Sequence, residues 1–394
     1  MPLRTTKANP PAAVRPRRVG LAVAGADPSE ANGPYSYGSI RTAAALALML
    51  QRLPEVEACY LILDLPTNGD FGLVAERVFP SDLFGLPTVS ATGGLTEIDT
   101  VIEVDAGAMG QQNAEAFKMR GGTLVSYVWR NIAADSFAHL SVGSPGDLPL
   151  TGGLYDAVWL AEPLWETCQA FARYTRSQNI VSTPYLWSPQ PLLAMLNAEK
   201  ISPFWHPAPK KALRVGILDA NDRAGSTFQL PLLAAENAHR LDDDAIASVL
   251  LFGSLRLKEW YHLSQMLLVS DVAKAGKVFA EDEHRLRTVI GVHIDMVVTH
   301  QWPDTPTDLI LDLLFLGWPV AHNIRSLSDA GYFYTPFDLA DGGRAILTAC
   351  REHRGRIDDY RREAQAALTR VSIDNPDNVR AMSMAMSALK PTRR

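Results

Sequence analysis

Three aspartates, Asp304, Asp308 and Asp312, fall on one short segment, "PDTPTDLILDLLFLG". Asp308 and Asp312 are four apart, which puts both on one face of a helix starting near Asp308. Asp312 sits inside an otherwise apolar run, and a carboxylate buried there needs a partner; a pair of ligand hydroxyls would serve. Asp308 has the position of a helix N-cap or first-turn residue, which accounts for it without a ligand. Asp304, eight residues ahead of Asp312, is a candidate for work at a reacting centre. His300 and His322 flank this helix at strand ends, where each is either a contact to a base or phosphate or a hydrogen-bonded structural histidine. Beyond the next strand, "HNIRSLSD" sets Asn323, Arg325 and Ser326 at a strand-to-helix junction. Backbone amides there suit a diphosphate, and Arg325 would neutralise it.

A second loop of the same kind, "LDANDRAGSTFQ", offers Asp219, Asn221, Arg223, Ser226 and Thr227 between a strand and a helix. In the first half of the chain, Asp27, Glu30 and Asn32 lie in the loop after the first strand, and Asp105 ends the strand "VIEVDAG". Asp105 is the candidate general base, with capping of the following helix as its structural alternative. A transfer with inversion needs such a base; one with retention needs positioning and charge stabilisation instead. The residues leave both open.

The elements that must carry these groups alternate along the chain. "RRVGLAVAG" is a β-rich run followed by a polar glycine loop and a helix from about Ser39 to Arg52, and "EACYLILDLP" is the next buried strand. Six such strand-like runs separated by helices make a doubly wound first half. Strands this continuously apolar belong in a parallel sheet covered on both faces. A proline-rich stretch from Ser188 to Lys211 reads as a linker, and a second strand-loop-helix series starts at "ALRVGILDAND". The expected fold class is α/β, with two Rossmann-like domains facing across a cleft and C-terminal helices packing back. The expected boundaries are a flexible basic arm over 1–16, a first domain over 17–190, a linker over 191–211, a second domain over 212–370 and a terminal helix and tail over 371–394. One charged helix is expected from Ala345 to about Leu368, and a shorter apolar one near Val379 to Leu389. In open parallel sheets, ligands collect at the carboxyl ends of the strands, so the cleft is the default site.

Composition limits the answer. A chain of 394 residues with 47% apolar and 20% charged residues is globular and long enough for two cores. The net charge of −6 argues against a general polyanion-binding surface. Only Arg4, Lys7, Arg15, Arg17 and Arg18 form a basic run, read as a disordered tail or a tether to an anionic partner. No apolar run is long enough to span a bilayer and no signal peptide opens the sequence, so a cytoplasmic protein is expected. Cys59, Cys168 and Cys350 lack metal-ligand spacing and read as reduced thiols, and "LDDDA" at Asp242 to Asp244 reads as a solvated turn; no metal site is expected. Neither half carries the Gly-x-Gly-x-x-Gly of a dinucleotide oxidoreductase, and no P-loop is present.

The arrangement of acidic residue, "GWP" turn, strand and polar loop resembles the donor-binding region of GT-B glycosyltransferases. In that family a Glu that binds the ribose stands five residues ahead of the Gly of Gly-x-Pro, and many retaining members carry another eight residues earlier. Asp312 and Asp304 hold those positions here, as Asp rather than Glu. "GPYSYGSIRTAAALALMLQRLP", "YDAVWLAEPLWETC", "VSTPYLWSP", "HQW", "LDLLFLGWPVAHN" and "AGYFYTPFD" together look like a bacterial and phage family of GT-B-fold glycosyltransferase-like proteins. That family carries an acidic-Pro-Asn element and a lysine where this chain has Asp219-Ala220-Asn221 and Ser226. The resemblance implies transfer of a sugar from a nucleoside-diphosphate sugar, a UDP-sugar first, to an acceptor hydroxyl, with no tightly bound cofactor. The acceptor is a glycan or small molecule, or a hydroxymethylated base in phage DNA. A sugar-nucleotide epimerase and a non-catalytic nucleotide-sugar or glycan-binding module are the alternatives.

Overall fold

The structure, a computed structural model, describes residues 15–24, 38–63, 85–93, 95–141, 153–200, 202, 204–206, 212–219, 221, 225–284, 286–302 and 305–389. The first half runs β1 (Arg17–Val23), α1 (Gly38–Leu50), β2 (Val56–Leu63), β3 (Thr88–Ser90), β4 (Thr100–Glu103), α2 (Gln111–Met119), β5 (Thr123–Val128), α3 (Ile132–Ser141), β6 (Ala157–Ala161), α4 (Trp165–Thr175), β7 (Ile180–Thr183) and α5 (Gln190–Glu199). The second half runs β8 (Leu213–Ile217), α6 (Gln229–Leu241), β9 (Ile246–Leu251), α7 (Tyr261–Val269), α8 (Asp271–Lys274), β10 (Val278–Ala280), α9 (Leu286–Val289), β11 (Met296–Val298), α10 (Asp308–Leu316), β12 (Val320–His322) and β13 (Tyr332–Phe333). It closes with α11 (Leu339–Glu352), α12 (Ile357–Val371) and α13 (Pro376–Ser387).

The strands form two sheets, ordered β3-β2-β1-β4-β5-β6-β7 and β10-β9-β8-β11-β12-β13, and every pairing is parallel. These are the two Rossmann-like halves the apolar strand runs predict. β5 and β6 are buried along their whole length, as strands covered on both faces must be. β3 and β13 go unread in the sequence: β13 is two residues long, and β3 is three residues, none of them fully buried, with no apolar run around them.

Two other segments differ from expectation, and a third shows which part of the basic run is structural. The first half of the proline-rich stretch is helical: Pro191 sits in the first turn of α5, where its missing N–H costs nothing. The charged helix expected from Ala345 divides into α11 and α12. α11 packs on α6 while α12 packs on α10, so the chain must turn between them, and buried His353 pins that turn to Tyr332 Oη and to the Gly317 carbonyl. Arg17 and Arg18, counted in the basic run but also expected to open the first strand, are tied into the sheet by β1. Arg17 donates to the Leu389 carbonyl at 2.8 Å, and Arg18 pairs with Glu57 and Glu97. Residues 1–14 of the arm lie outside the described residues.

The two domains share a core. One apolar cluster runs from Cys168 and Ala172 on α4 through Tyr185, Trp187 and Leu192 into the second sheet. The chain crosses between domains twice, side by side: Trp187 N–H donates to Val371 O at 2.8 Å and Ile373 N–H to Trp187 O at 3.3 Å. α13 then returns to the first domain and buries Met382, Ala385 and Met386 in a cluster with Ala43, Leu46 and Leu50 of α1. This is the packing back expected of the C-terminal helix.

Candidate functional site at the carboxyl edges of the strands

Asp219 stands just past β8 and is 2% exposed. Among the described residues, three side chains converge on one oxygen: Ser226 Oγ at 2.8 Å, Thr299 Oγ1 at 3.0 Å and Gln301 Nε2 at 2.9 Å reach Oδ1, and the His300 backbone N–H also favours the ionised carboxyl. Oδ2 is buried and has no partner. Burial pushes the carboxyl up to about 7, against the downward pull of these hydrogen bonds. Thr299 and Gln301 follow β11, and their period-two alternation sends both side chains to Asp219. Ser226 is held against Gln301 by a β-bridge, and Trp302 N–H donates to Gly225 O at 2.8 Å. Gln301 was not among the expected residues; its only sequence signal is the "HQW" motif.

Asn221 has a left-handed backbone, φ 57°. Its side-chain amide donates to the Asp219 and Phe252 carbonyls, and its Oδ1 accepts from Phe228 N–H at 2.8 Å. The expected ligand contact is therefore a loop lock that opens α6. Thr227 follows at the mouth of that helix, and Arg223 lies outside the described residues.

His300 turns to the other face of the sheet. Tyr334 Oη donates its single proton to the Thr299 carbonyl at 2.9 Å, so at 3.1 Å it accepts from His300 Nδ1–H. That leaves Nε2 as an unprotonated acceptor, buried and unpartnered. Burial pulls the ring's pKa down to about 4, so it is neutral. Phe337 packs over His300 at 4.8 Å between ring centroids, and Trp302 stands edge-on to Phe337 at 6.2 Å. Phe337 is held at φ 65°, a left-handed conformation that costs a non-glycine residue about 1–2 kcal/mol, yet it is 55% exposed. Trp302 is 54% exposed. Phe337 falls in the "AGYFYTPFD" motif, but its strained backbone and half-exposed ring are visible only in the fold.

The remaining expected contacts of the second domain are largely internal. His322 is fully buried with both ring nitrogens engaged, Nε2 with the Ala330 carbonyl at 2.9 Å and Nδ1 accepting from Ile324 N–H at 3.2 Å. Asn323 exchanges two hydrogen bonds of 2.8 Å with the backbone of Gln301, welding the ends of β11 and β12. Both hold the strand ends in register, and neither offers a free polar atom. Arg325 is exposed at the start of a 3-10 turn, Arg325–Leu327.

Asp312 is buried as its apolar surroundings require, but its partners belong to the protein. Arg41 of α1 donates to both oxygens, at 2.6 and 2.7 Å, and Trp187 Nε1 adds a bond of 3.1 Å to Oδ1. Asp308 lies 3.7 Å from Arg41 Nε, and Asp304 is outside the described residues. Two residues before Arg41, Ser39 Oγ donates to Asp105 Oδ1 at 2.8 Å, while Ala24 N–H reaches Oδ2 at 3.2 Å. One turn of α1 thus links Asp105, at the edge of the first sheet, to Asp312 in the second domain. "LDDDA" is a surface turn in which Asp242 pairs with Arg351 at 2.7 Å. Among the described residues no cluster of His, Cys, Asp and Glu could hold a metal, and no helix is long and apolar enough to cross a membrane.

Solved structures resemble the chain over almost its full length. Alr3699/HepE from Anabaena, in complex with UDP and glucose, gives a TM-score of 0.55 at 13% identity, covering 95% of this chain and 100% of that one. A glycosyltransferase from Rickettsia africae gives 0.55 at 12%, covering 95% and 98%, and sucrose-phosphate synthase from Thermosynechococcus elongatus gives 0.52 at 11%, covering 94% and 98%. At such identities the likeness shows the fold, which is GT-B. No curated protein sequence matches. From residue 19 to residue 386 the chain matches one family throughout, so it belongs to DUF2827, described as protein of unknown function.

Proposed function

We propose that the protein is a glycosyltransferase that moves a sugar from a nucleoside-diphosphate sugar, a UDP-sugar first, to the hydroxyl of a glycan or small-molecule acceptor. One observation carries the reading. At the carboxyl edge of the second sheet, His300 Nε2 is buried without a partner under Phe337, which Trp302 meets edge-on, and on the opposite face of the same strand end Asp219 Oδ2 is likewise buried without a partner. Buried polar groups in a native fold are nearly always satisfied, so a pair left open at a strand edge awaits a polar ligand. The rings supply the flat apolar surface a nucleobase needs. The likeness to Alr3699/HepE, whose structure holds UDP and glucose, supports a nucleotide sugar as that ligand. Across the domains, Asp105, which accepts from Ser39 and Ala24 and lies 3.9 Å from Arg130, is the carboxylate among the described residues that we assign to the acceptor's proton.

Calorimetric titration of UDP, GDP, ADP and CDP into wild type, His300→Ala and Phe337→Gly tests the site. One nucleotide is expected to bind at micromolar Kd and to weaken about tenfold or more in each variant, the loss of roughly one good contact. Failure of all four to bind, or binding unchanged in both variants, sinks the reading. Release of the diphosphate from the matching nucleotide sugar then separates an enzyme from a binding module.

A further inference from the structure

We propose that Asp219 acts as a neutral acid in this site, its Oδ2 carrying a proton and donating it in a hydrogen bond to a phosphoryl oxygen of the bound diphosphate. This rests on the nucleotide-sugar reading and adds a residue role to it. The geometry is one-sided. Three side chains donate to Oδ1, and none reaches Oδ2, which is nevertheless out of contact with water. A proton on Oδ1 would have to displace the Gln301 amide donor and turn a hydroxyl from donor to acceptor, whereas on Oδ2 it leaves all three hydrogen bonds in place, so Oδ2 is the favoured place for it. An ionised carboxylate would instead leave half its charge buried beside nothing, at a cost proteins avoid by neutralising the group.

The surroundings agree. Among the described residues, the groups that face Asp219 are Ser226 from its own loop, Thr299, Gln301 and the His300 backbone from the end of β11, and Tyr334 from beyond β13. His300 is neutral and Tyr334 is pushed further towards its neutral form by burial, so none of these groups brings a positive charge. The thirteen-residue helix α6 begins on this loop, with Asn221 fixing its first turn, and a helix start favours an anion. A diphosphate placed there meets a donor if Asp219 is protonated and a like charge if it is not. Burial, the largest influence on this carboxyl, holds its pKa at about 7, so the group is poised to be the donor at neutral pH and below.

The test is the pH dependence of UDP binding to wild type and Asp219→Asn, each also titrated with inorganic pyrophosphate. Asparagine keeps an oxygen for the three donors and presents an N–H where Oδ2 stood. Taking the ratio of wild type to variant cancels the titration of the ligand itself. That ratio is expected to stay within about threefold of unity at pH 6 and to fall more than tenfold by pH 8.5 as the carboxyl ionises. Ser226→Ala, which removes one donor from Oδ1 and so disfavours the anion, should move the midpoint of the fall to higher pH, and it serves if the asparagine variant does not fold. A nucleotide that binds with a flat ratio overturns the role of Asp219 and leaves the nucleotide reading standing. Pyrophosphate that binds with the expected ratio, without any gain from a nucleoside, overturns the nucleotide reading and leaves Asp219 standing. No binding of either sinks both.

Discussion

Arg41 and Asp312 are separated by 271 residues, and they grip each other through two hydrogen bonds of 2.6 and 2.7 Å. The pair is nearly dry, with side-chain exposures of 14% and 4%, and it joins α1 of the first domain to α10 of the second. Asp308, 3.7 Å from the same guanidinium, has its carboxyl pushed up to about 6, by burial first and then by the like charge of Asp312, with Arg41 opposing both. One arginine therefore compensates two carboxylates at the domain boundary.

Arg41→Met should cost about 3–5 kcal/mol, because it leaves Asp312 buried with only the Trp187 N–H. Arg41→Met with Asp312→Leu should recover part of that loss, since Asp312 no longer stands as an orphaned charge, while Asp308, deprived of Arg41, takes up a proton to stay buried. Arg41→Lys should fall between, a point charge being unable to bind both oxygens in the plane of a guanidinium. Urea unfolding of the four proteins decides it. A double variant no more stable than the single one would mean that the pair itself, and not the removal of an orphaned charge, holds the domains.

What the sequence hides here is instructive. The burial of Asp312 follows from its neighbours "LILDLLFLG", Asp308 takes the first-turn place expected of it behind the Thr307 N-cap, and α10 stops at Gly317, which sits left-handed at φ 78°. The partner does not follow, because Arg41 in "GSIRTAAALALML" looks like the one solvent-facing residue of an apolar helix until that helix is set against another domain. His322 and Asn323 mislead in the opposite way. Polar residues at a strand end look like ligand contacts, and here their polar atoms close on neighbouring backbone instead. Residue type and place in the element are local; whether a polar atom is spent or spare is a property of the assembled sheet.

Phe337→Gly should separate stability from binding. Glycine adopts φ 65° without strain, so about 1 kcal/mol of backbone cost disappears, offset by the lost contact with His300. The expected result is a thermal midpoint within about 2 °C of wild type together with weaker nucleotide binding. A midpoint lowered by several degrees would make Phe337 a packing residue whose exposure is incidental.

The pH dependence of stability has two opposing sources. His300, His322 and His353 each have a pKa of about 4 in the fold against an ordinary 6.5, all through burial first. They are neutral in the fold, so their contribution is complete above about pH 6.5 and is lost as pH falls towards 4. Asp219 and Asp308, raised to about 7 and about 6, hold protons that the unfolded chain has released, so their contribution shrinks as pH rises from about 4. Between pH 5 and 6 three groups act against two, and stability should rise with pH by the equivalent of about one proton, roughly 1.4 kcal/mol per unit. Asp219→Asn removes one opposing group and should about double that slope in urea titrations at pH 5.0, 5.5 and 6.0. An unchanged slope would mean that Asp219 is ionised in this range.

Two glycine-to-alanine changes in neighbouring elements should have opposite signs. At Gly343 in α11, a Cβ would lie 2.8 Å from Asn237 Cβ and 2.9 Å from the Ala238 backbone nitrogen of α6. The backbone of a packed helix cannot yield as a side-chain tip can. Gly343→Ala gains about 1 kcal/mol of helix propensity and loses about 1–3 kcal/mol to the forced separation of α6 from α11, so net destabilisation is expected. At Gly355, in the turn between α11 and α12, the nearest atom is the Glu352 carbonyl oxygen at 3.6 Å, an ordinary contact, and the backbone is not left-handed. Gly355→Ala should therefore stabilise by about 0.4–1 kcal/mol, through the freedom it removes from the unfolded chain. Urea midpoints moving in the same direction for both would show that α6 and α11 do not approach as closely as Gly342 and Gly343 permit.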